Sequence, residues 1–228
     1  MIECIVQNAE DAKNAEKLGV TRLELVSAIQ LGGLTPTYGT VKSVLDSVQI
    51  PVQVMIRPHD YGFIYTSDDK EVMKKDISLL DEMGHNRIVI GALNENKTID
   101  TVFLDDLFRE FPRLNVTFHR AFDEVRDQTE AYHTLAAYQK NIQRILTSGG
   151  ADDCAGGVDA LRALVQLQHK LQGPGILPGS GLGVDNIRAL HNVIQADEYH
   201  FGSGVRRNRS FEERVDKDKV EGVRSVLG

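Results

Sequence analysis

Short β-branched or apolar runs recur along the chain: I-E-C-I-V from residue 2, R-L-E-L-V from 22, V-Q-V-M-I from 52, R-I-V-I from 87, N-V-T-F-H from 115, I-Q-R-I-L-T from 142, G-I-L-P from 175 and E-Y-H-F from 198. Between them the apolar period changes from two towards that of a helix. Val72, Ile77, Leu80 and Met83, and likewise Leu161, Leu164, Leu167 and Leu171, put an apolar stripe on one helical face. Strand alternating with helix predicts parallel βαβ units.

Such a series builds either an open doubly wound sheet or a closed barrel. An open dinucleotide-binding sheet wants a G-x-G-x-x-G turn after its first strand, and this chain has Gln7-Asn8-Ala9-Glu10 there. Strand parity points the same way, because barrel strands alternate between helix-facing and lumen-facing side chains. Leu23, Leu25, Val52, Val54, Ile56, Val116, Phe118, Tyr199 and Phe201 fall on one parity, with Cys4. The inward parity carries Glu3, Ile5, Arg22, Glu24, Val26, Gln53, Met55, Arg57, Asn115, Thr117, His119, Glu198 and His200. The expected fold is a TIM (β/α)₈ barrel, a single domain over residues 1–228. Its longest connections are expected after the second and third strands, Ala28 to Tyr38 and Pro58 to Asp69, on the face where barrel enzymes carry their sites.

A chain of 228 residues matches that architecture. Its net charge of −7, with acids and bases interspersed, shows no footprint for nucleic acid or an anionic membrane, so a small molecule or ion is the expected partner. No signal-like leader opens it and no apolar run approaches a membrane span. Cys4 and Cys154 are too few for a disulfide framework and lack zinc-ligand spacing. Together these features predict a cytoplasmic protein.

Charges on the inward parity are costly unless they pair or bind something. Glu3 and Glu198, early in their strands, suit a structural network as well as a site. Arg57 and His119 stand at strand C-terminal ends, where function concentrates. His119 is the general-base candidate, with Asp123 placed to orient its ring or, alternatively, to cap the next helix. Arg57 suits a carboxylate or phosphate, or else neutralises Glu24. The candidate catalytic set is Glu3, Glu24, Arg57, His119 and Asp123. The glycine-rich stretches at 177–183 and 201–206 nominate Gly179, Ser180, Gly181, Gly202 and Ser203 as an anion site, or as plain tight turns, and Thr147 to Gly150 could add donors. Glu3, Glu24, His119 and His200 could converge on a metal, or simply form a hydrogen-bonded lumen.

Six ordered segments also carry a resemblance: R-L-E-L at 22–25, G-G-L-T-P at 32–36, M-I-R-P at 55–58, F-H-R-A-F-D at 118–123, R-I-L-T-S-G at 144–149 and E-Y-H at 198–200. In these the chain resembles the CutC copper homeostasis family, whose members are TIM barrels. The resemblance implies a cytoplasmic homo-oligomer associated with copper. The family's proposed copper ligands are inward cysteines on the first two strands, and those positions read Ile5 and Val26 here. Cu(I) prefers thiolate or thioether donors, which an aliphatic pair does not supply. The alternative expectation is a TIM-barrel enzyme, a lyase or isomerase, using acid/base chemistry on a small anionic or phosphorylated metabolite.

Overall fold

The computed structural model describes residues 1–228. Eight strands alternate with eight helices in chain order: β1 (Ile2–Val6), α1 (Ala9–Lys17), β2 (Arg22–Leu25), α2 (Tyr38–Leu45), β3 (Val52–Met55), α3 (Ser67–Glu82), β4 (Arg87–Ile90), α4 (Thr101–Glu110), β5 (Asn115–Phe118), α5 (Gln128–Ala136), β6 (Ile142–Thr147), α6 (Val158–Leu171), β7 (Gly175–Pro178), α7 (Ile187–Ile194), β8 (Tyr199–Phe201) and α8 (Lys217–Leu227). Neighbouring strands pair in parallel through the order β7-β6-β5-β4-β3-β2-β1-β8. An isolated parallel bridge between Gly179 and His200 brings the two ends of the sheet together and completes a TIM barrel.

Several helices begin where a short polar side chain can cap them. Asn8, Thr37, Thr66, Asp100, Asp127 and Asp216 each accept a hydrogen bond from a backbone N–H in the first turn, and Thr66 with Asp69 forms a reciprocal capping box. In α3 the buried stripe is Met73, Ile77 and Leu80. Val72, expected on that face, is exposed, because Met73 and not Val72 lies one helical turn before Ile77. Parity holds around the barrel wall except in β6, where a bulge between Ile142 and Arg144 shifts the alternation by one residue. Cys4, Leu23, Leu25, Val52, Val54, Val116 and Phe118 join the continuous core between strands and helices, whereas Val26, Met55 and Val89 form a small separate apolar layer inside the lumen, with Ile5 and Ile29 against it.

One expectation about loops needs correction. The longest connection follows β8, not β2 or β3, and runs from Gly202 to Asp216 through two short 3₁₀ turns. It is long because it carries its own anchor: Arg206, fully buried, donates from both terminal nitrogens to Asp11 (3.1 and 2.6 Å) and also to the Ile5 carbonyl (2.6 Å), tying the loop to the end of β1.

Candidate functional site

The lumen holds two ionic layers with the apolar layer beside them. Near the strand N-termini, Arg22 lies between Glu3 and Glu198, and Arg144 adds a contact to Glu198 at 3.5 Å. Gln53 donates to Asn115 at 3.2 Å, and Arg144 donates to Thr117 at 3.2 Å. Register explains the convergence, since Glu3 lies level with Arg22 on one side and His200 on the other. His200 Nδ1 meets the other Glu3 oxygen at 2.7 Å, and its Nε2 lies 3.7 Å from Glu24. Burial opposes ionisation of Glu3, but Arg22 and His200 outweigh it and hold the carboxylate well below its usual range. Burial works against protonation of His200, and Glu24 and Glu3 overcome it, so the ring titrates above its ordinary value. Glu24 is different. Burial, aided by Glu3, lifts it to about 7 against the pull of His200 and Arg22, and its Oε1 has no hydrogen-bond partner.

Above these groups a cavity of about 290 Å³ opens at the C-terminal ends of the strands. Its basic lining residues are Arg57, His119, Arg120, His200 and Arg209, with no carboxylate among the lining residues; Ile5, Met55, Phe63, Leu146, Leu182 and Phe211 supply apolar walls. Arg120 is paired with Asp123 and Arg209 with Asp185. Arg57, only 7% exposed, has no such counter-ion: its Nη1 donates to the carbonyls of Leu31 (3.0 Å) and Gly33 (3.3 Å), and its Nε is buried without a partner. The expected neutralisation of Glu24 by Arg57 does not occur, because Arg57 lies past the end of β3 and turns to the β2–α2 loop. Phe63 lies over its guanidinium at 5.0 Å and tilts against the His119 ring, centroid to centroid 4.8 Å.

His119 follows β5 and is buried. Its Nδ1 accepts a hydrogen bond from the Ala121 N–H at 3.1 Å, which places the remaining ring proton on Nε2, a buried donor without a partner. Burial and the charge of Arg57 push its pKa down to about 3, so the ring is neutral at physiological pH. The general-base expectation is thereby corrected: His119 is a neutral N–H donor, not a base poised near neutrality. Gly91, the residue level with it on the β4 side, makes this possible, since a Cβ there would lie 2.6 Å from Nδ1. That glycine is the signal sequence reading missed.

Asp123 neither orients His119 nor caps a helix; Asp127 caps α5. Residues 120–124 form a 3₁₀ turn that swings Asp123 under the loop after β6, where it accepts from Thr147 Oγ1, from the Ser148 N–H and Oγ, and from the Gly150 N–H (3.1 Å), with Arg120 Nε at 2.7 Å. The predicted donors of Thr147 to Gly150 do bind an anion, but it is the protein's own carboxylate. Ser180, Gly181, Gly202 and Ser203 line the cavity as expected, Ser180 at φ +97°, a conformation uncommon for a non-glycine residue. Gly179 does not line it. It lies in the wall, where a Cβ would collide with Leu146 and crowd His200.

Of the four possible metal ligands, Glu3, Glu24 and His200 converge, their ligand atoms lying within 4.8 Å, and His119 does not join them. Glu3 spends one oxygen on Arg22 and the other on His200, so the cluster is already internally bonded.

The profile of the CutC family matches residues 1–205. The chain belongs to the CutC family. It is 36% identical over 215 residues to the human copper homeostasis protein cutC homolog, covering 94% of this chain and 77% of that protein. It is 35% identical over 209 residues to a CutC family protein of Vibrio campbellii, covering 90% and 83%. A CutC crystal structure from Streptococcus agalactiae superposes with a TM-score of 0.80 at 28% identity, covering 89% of this chain and 97% of that one. A phosphoribosyl anthranilate isomerase from Thermococcus kodakaraensis shares the barrel, with a TM-score of 0.64 at 14% identity over 99% and 97% of the two chains.

A thiol-held copper centre does not fit the CutC barrel of this chain. Ile5 and Val26 belong to the lumen's apolar layer. Cys4 faces the helices and Cys154 sits in the β6–α6 loop, both fully buried with thiols pushed up to about 12, and neither lines the cavity.

Proposed function

We propose that this CutC protein shares the copper-homeostasis association carried by the names of its relatives, and that its working site is the lumen cavity, which binds a small anionic metabolite rather than Cu(I). One observation carries this reading: Arg57 is a buried cation with no carboxylate partner, in a cavity whose charged lining is entirely basic. A permanently charged guanidinium left unpaired in such a place is costly, and an anion that pairs with it recovers that cost. His119 Nε2–H adds a second desolvated donor, and Ser180, Gly181, Gly202 and Ser203 bring polar loop groups to the rim. The chain acts as one domain over residues 1–228. We assign it to the cytoplasm as a homo-oligomer, supported by its two unpaired thiols and by the family resemblance. No helix is long and apolar enough to cross a membrane.

Thermal unfolding with increasing inorganic phosphate or sulfate tests the site. The midpoint should rise for the native chain, by the equivalent of about 2.7 kcal/mol at a hundredfold excess over Kd, and should not rise for Arg57→Gln. An equal response of the two proteins, or none in either, overturns the reading. Competition against a weak Cu(I) chelator at stoichiometric protein should leave the copper with the chelator; retention by the protein would restore a copper site.

A further inference from the structure

We infer that His200 is the proton-transfer residue of this cavity, acting on a small carbonyl-bearing acid whose acidic group rests on Arg57. The inference rests on the anion-site reading and adds the substrate class and the chemistry. β3, β5 and β8 are separated around the ring, so Arg57, His119 and His200 reach one cavity from different sides. Their chemical states divide the work. Arg57 is a fixed cation for a carboxylate or phosphate. His119, neutral and protonated on Nε2, can donate to a carbonyl oxygen and stabilise the negative charge that develops there, without itself taking up a proton.

His200 is built for the remaining task. Glu3 holds its Nδ1 at 2.7 Å, fixing the ring's orientation and keeping a proton on that nitrogen, so exchange is confined to Nε2. Nε2 lies 3.7 Å from Glu24 Oε2, near enough for a small rotation to pass a proton between them, and Glu24 makes no hydrogen bond that would oppose that rotation. The groups facing the ring are Glu3 from β1 and Glu24 and Arg22 from β2, the last already engaged by Glu3 and Glu198. When Glu24 holds the mobile proton, Nε2 is a free base. The C–H bond beside the substrate carbonyl then breaks, its proton passes to Nε2, and its electron pair forms the enolate, whose oxygen meets His119 Nε2–H. Return of a proton to the same carbon completes an exchange that needs no further reactant.

Pyruvate and dihydroxyacetone phosphate, small carbonyl compounds bearing a carboxylate and a phosphate, serve as probes. Each is incubated with the full chain in deuterium oxide, and loss of the proton signal beside the carbonyl is followed by NMR. At least one should exchange above the buffer rate. His200→Gln should slow that exchange by about 10²–10⁴-fold, and Glu24→Gln should displace its pH profile. Circular dichroism and phosphate-induced stabilisation report whether each variant is folded with its anion site intact. Exchange of neither probe while phosphate still stabilises the native chain, or exchange undiminished in folded His200→Gln, overturns the assignment and leaves the anion site standing. Absence of phosphate stabilisation in the native chain removes the anion site and this assignment with it.

Discussion

Two charged regions share one barrel lumen and are treated in opposite ways. In the lower region Glu3, Arg22, Arg144 and Glu198 set opposite charges in contact with one another, so those charges are spent on holding neighbouring strands together. At the mouth Arg57 is buried to a similar degree with no carboxylate beside it, and His119 Nε2–H has no protein partner. A buried polar group that the fold itself satisfies reads as structure, and one that the fold leaves open reads as a place for a ligand. Asp123 shows the same distinction in reverse, because its carboxylate takes up the Thr147 to Gly150 donors that had been expected to join an anion site.

The contrast can be broken most forcefully from below. Glu3→Leu removes the carboxylate that Arg22 and His200 share, leaving only Glu198 and the more distant Glu24 to oppose them, and should lower stability by about 3–5 kcal/mol in urea unfolding; a loss under about 1 kcal/mol would erase the distinction between the two layers. Asp123→Ala removes the acceptor that gathers Thr147, Ser148, Gly150 and Arg120, and should cost about 2–3 kcal/mol by the same measurement. Glu24 sharpens the boundary between the regions through pH. Its folded pKa lies above the unfolded value near 4.5, so the folded state binds the extra proton, and stability falls as pH rises from about 4.5 to about 7. Glu24→Gln should flatten that decline in urea titrations across the window, whereas a parallel decline in both proteins would place its source elsewhere. The smallest stability effect belongs to the mouth. Arg57→Gln should stay within about 1 kcal/mol of the native chain in ligand-free buffer, because no ion pair is lost; a larger loss would make Arg57 a structural cation.

Much of this was legible beforehand for a plain reason. Side chains in a strand alternate with period two, so locating Val52, Val54 and Ile56 on the helix side was enough to send Gln53, Met55 and Arg57 inward. Helical periodicity was less exact in α3, where Val72 and Met73 are both apolar and only packing selects between them. The mouth was legible as a location, since Arg57, His119, Ser180, Gly181, Gly202 and Ser203 all line the cavity. The roles were not. Asp123 sits four residues after His119, a spacing that brings side chains together on an α-helix, but the chain takes a 3₁₀ turn there and carries the carboxylate to β6. His200 was recognised as inward but left out of the candidate set, because nothing local shows that Glu3, distant in sequence, stands behind its ring.

The chain's own residue pattern settled that strands and helices alternate, that the sheet closes around a polar lumen, and which side chains enter it, because period and parity are local properties of the backbone. Which inward charges meet one another, and which are left to meet a ligand, was decided only when the barrel closed. Closure sets the stagger between strands far apart in sequence, and a single register step determines whether an arginine faces a glutamate or an open cavity.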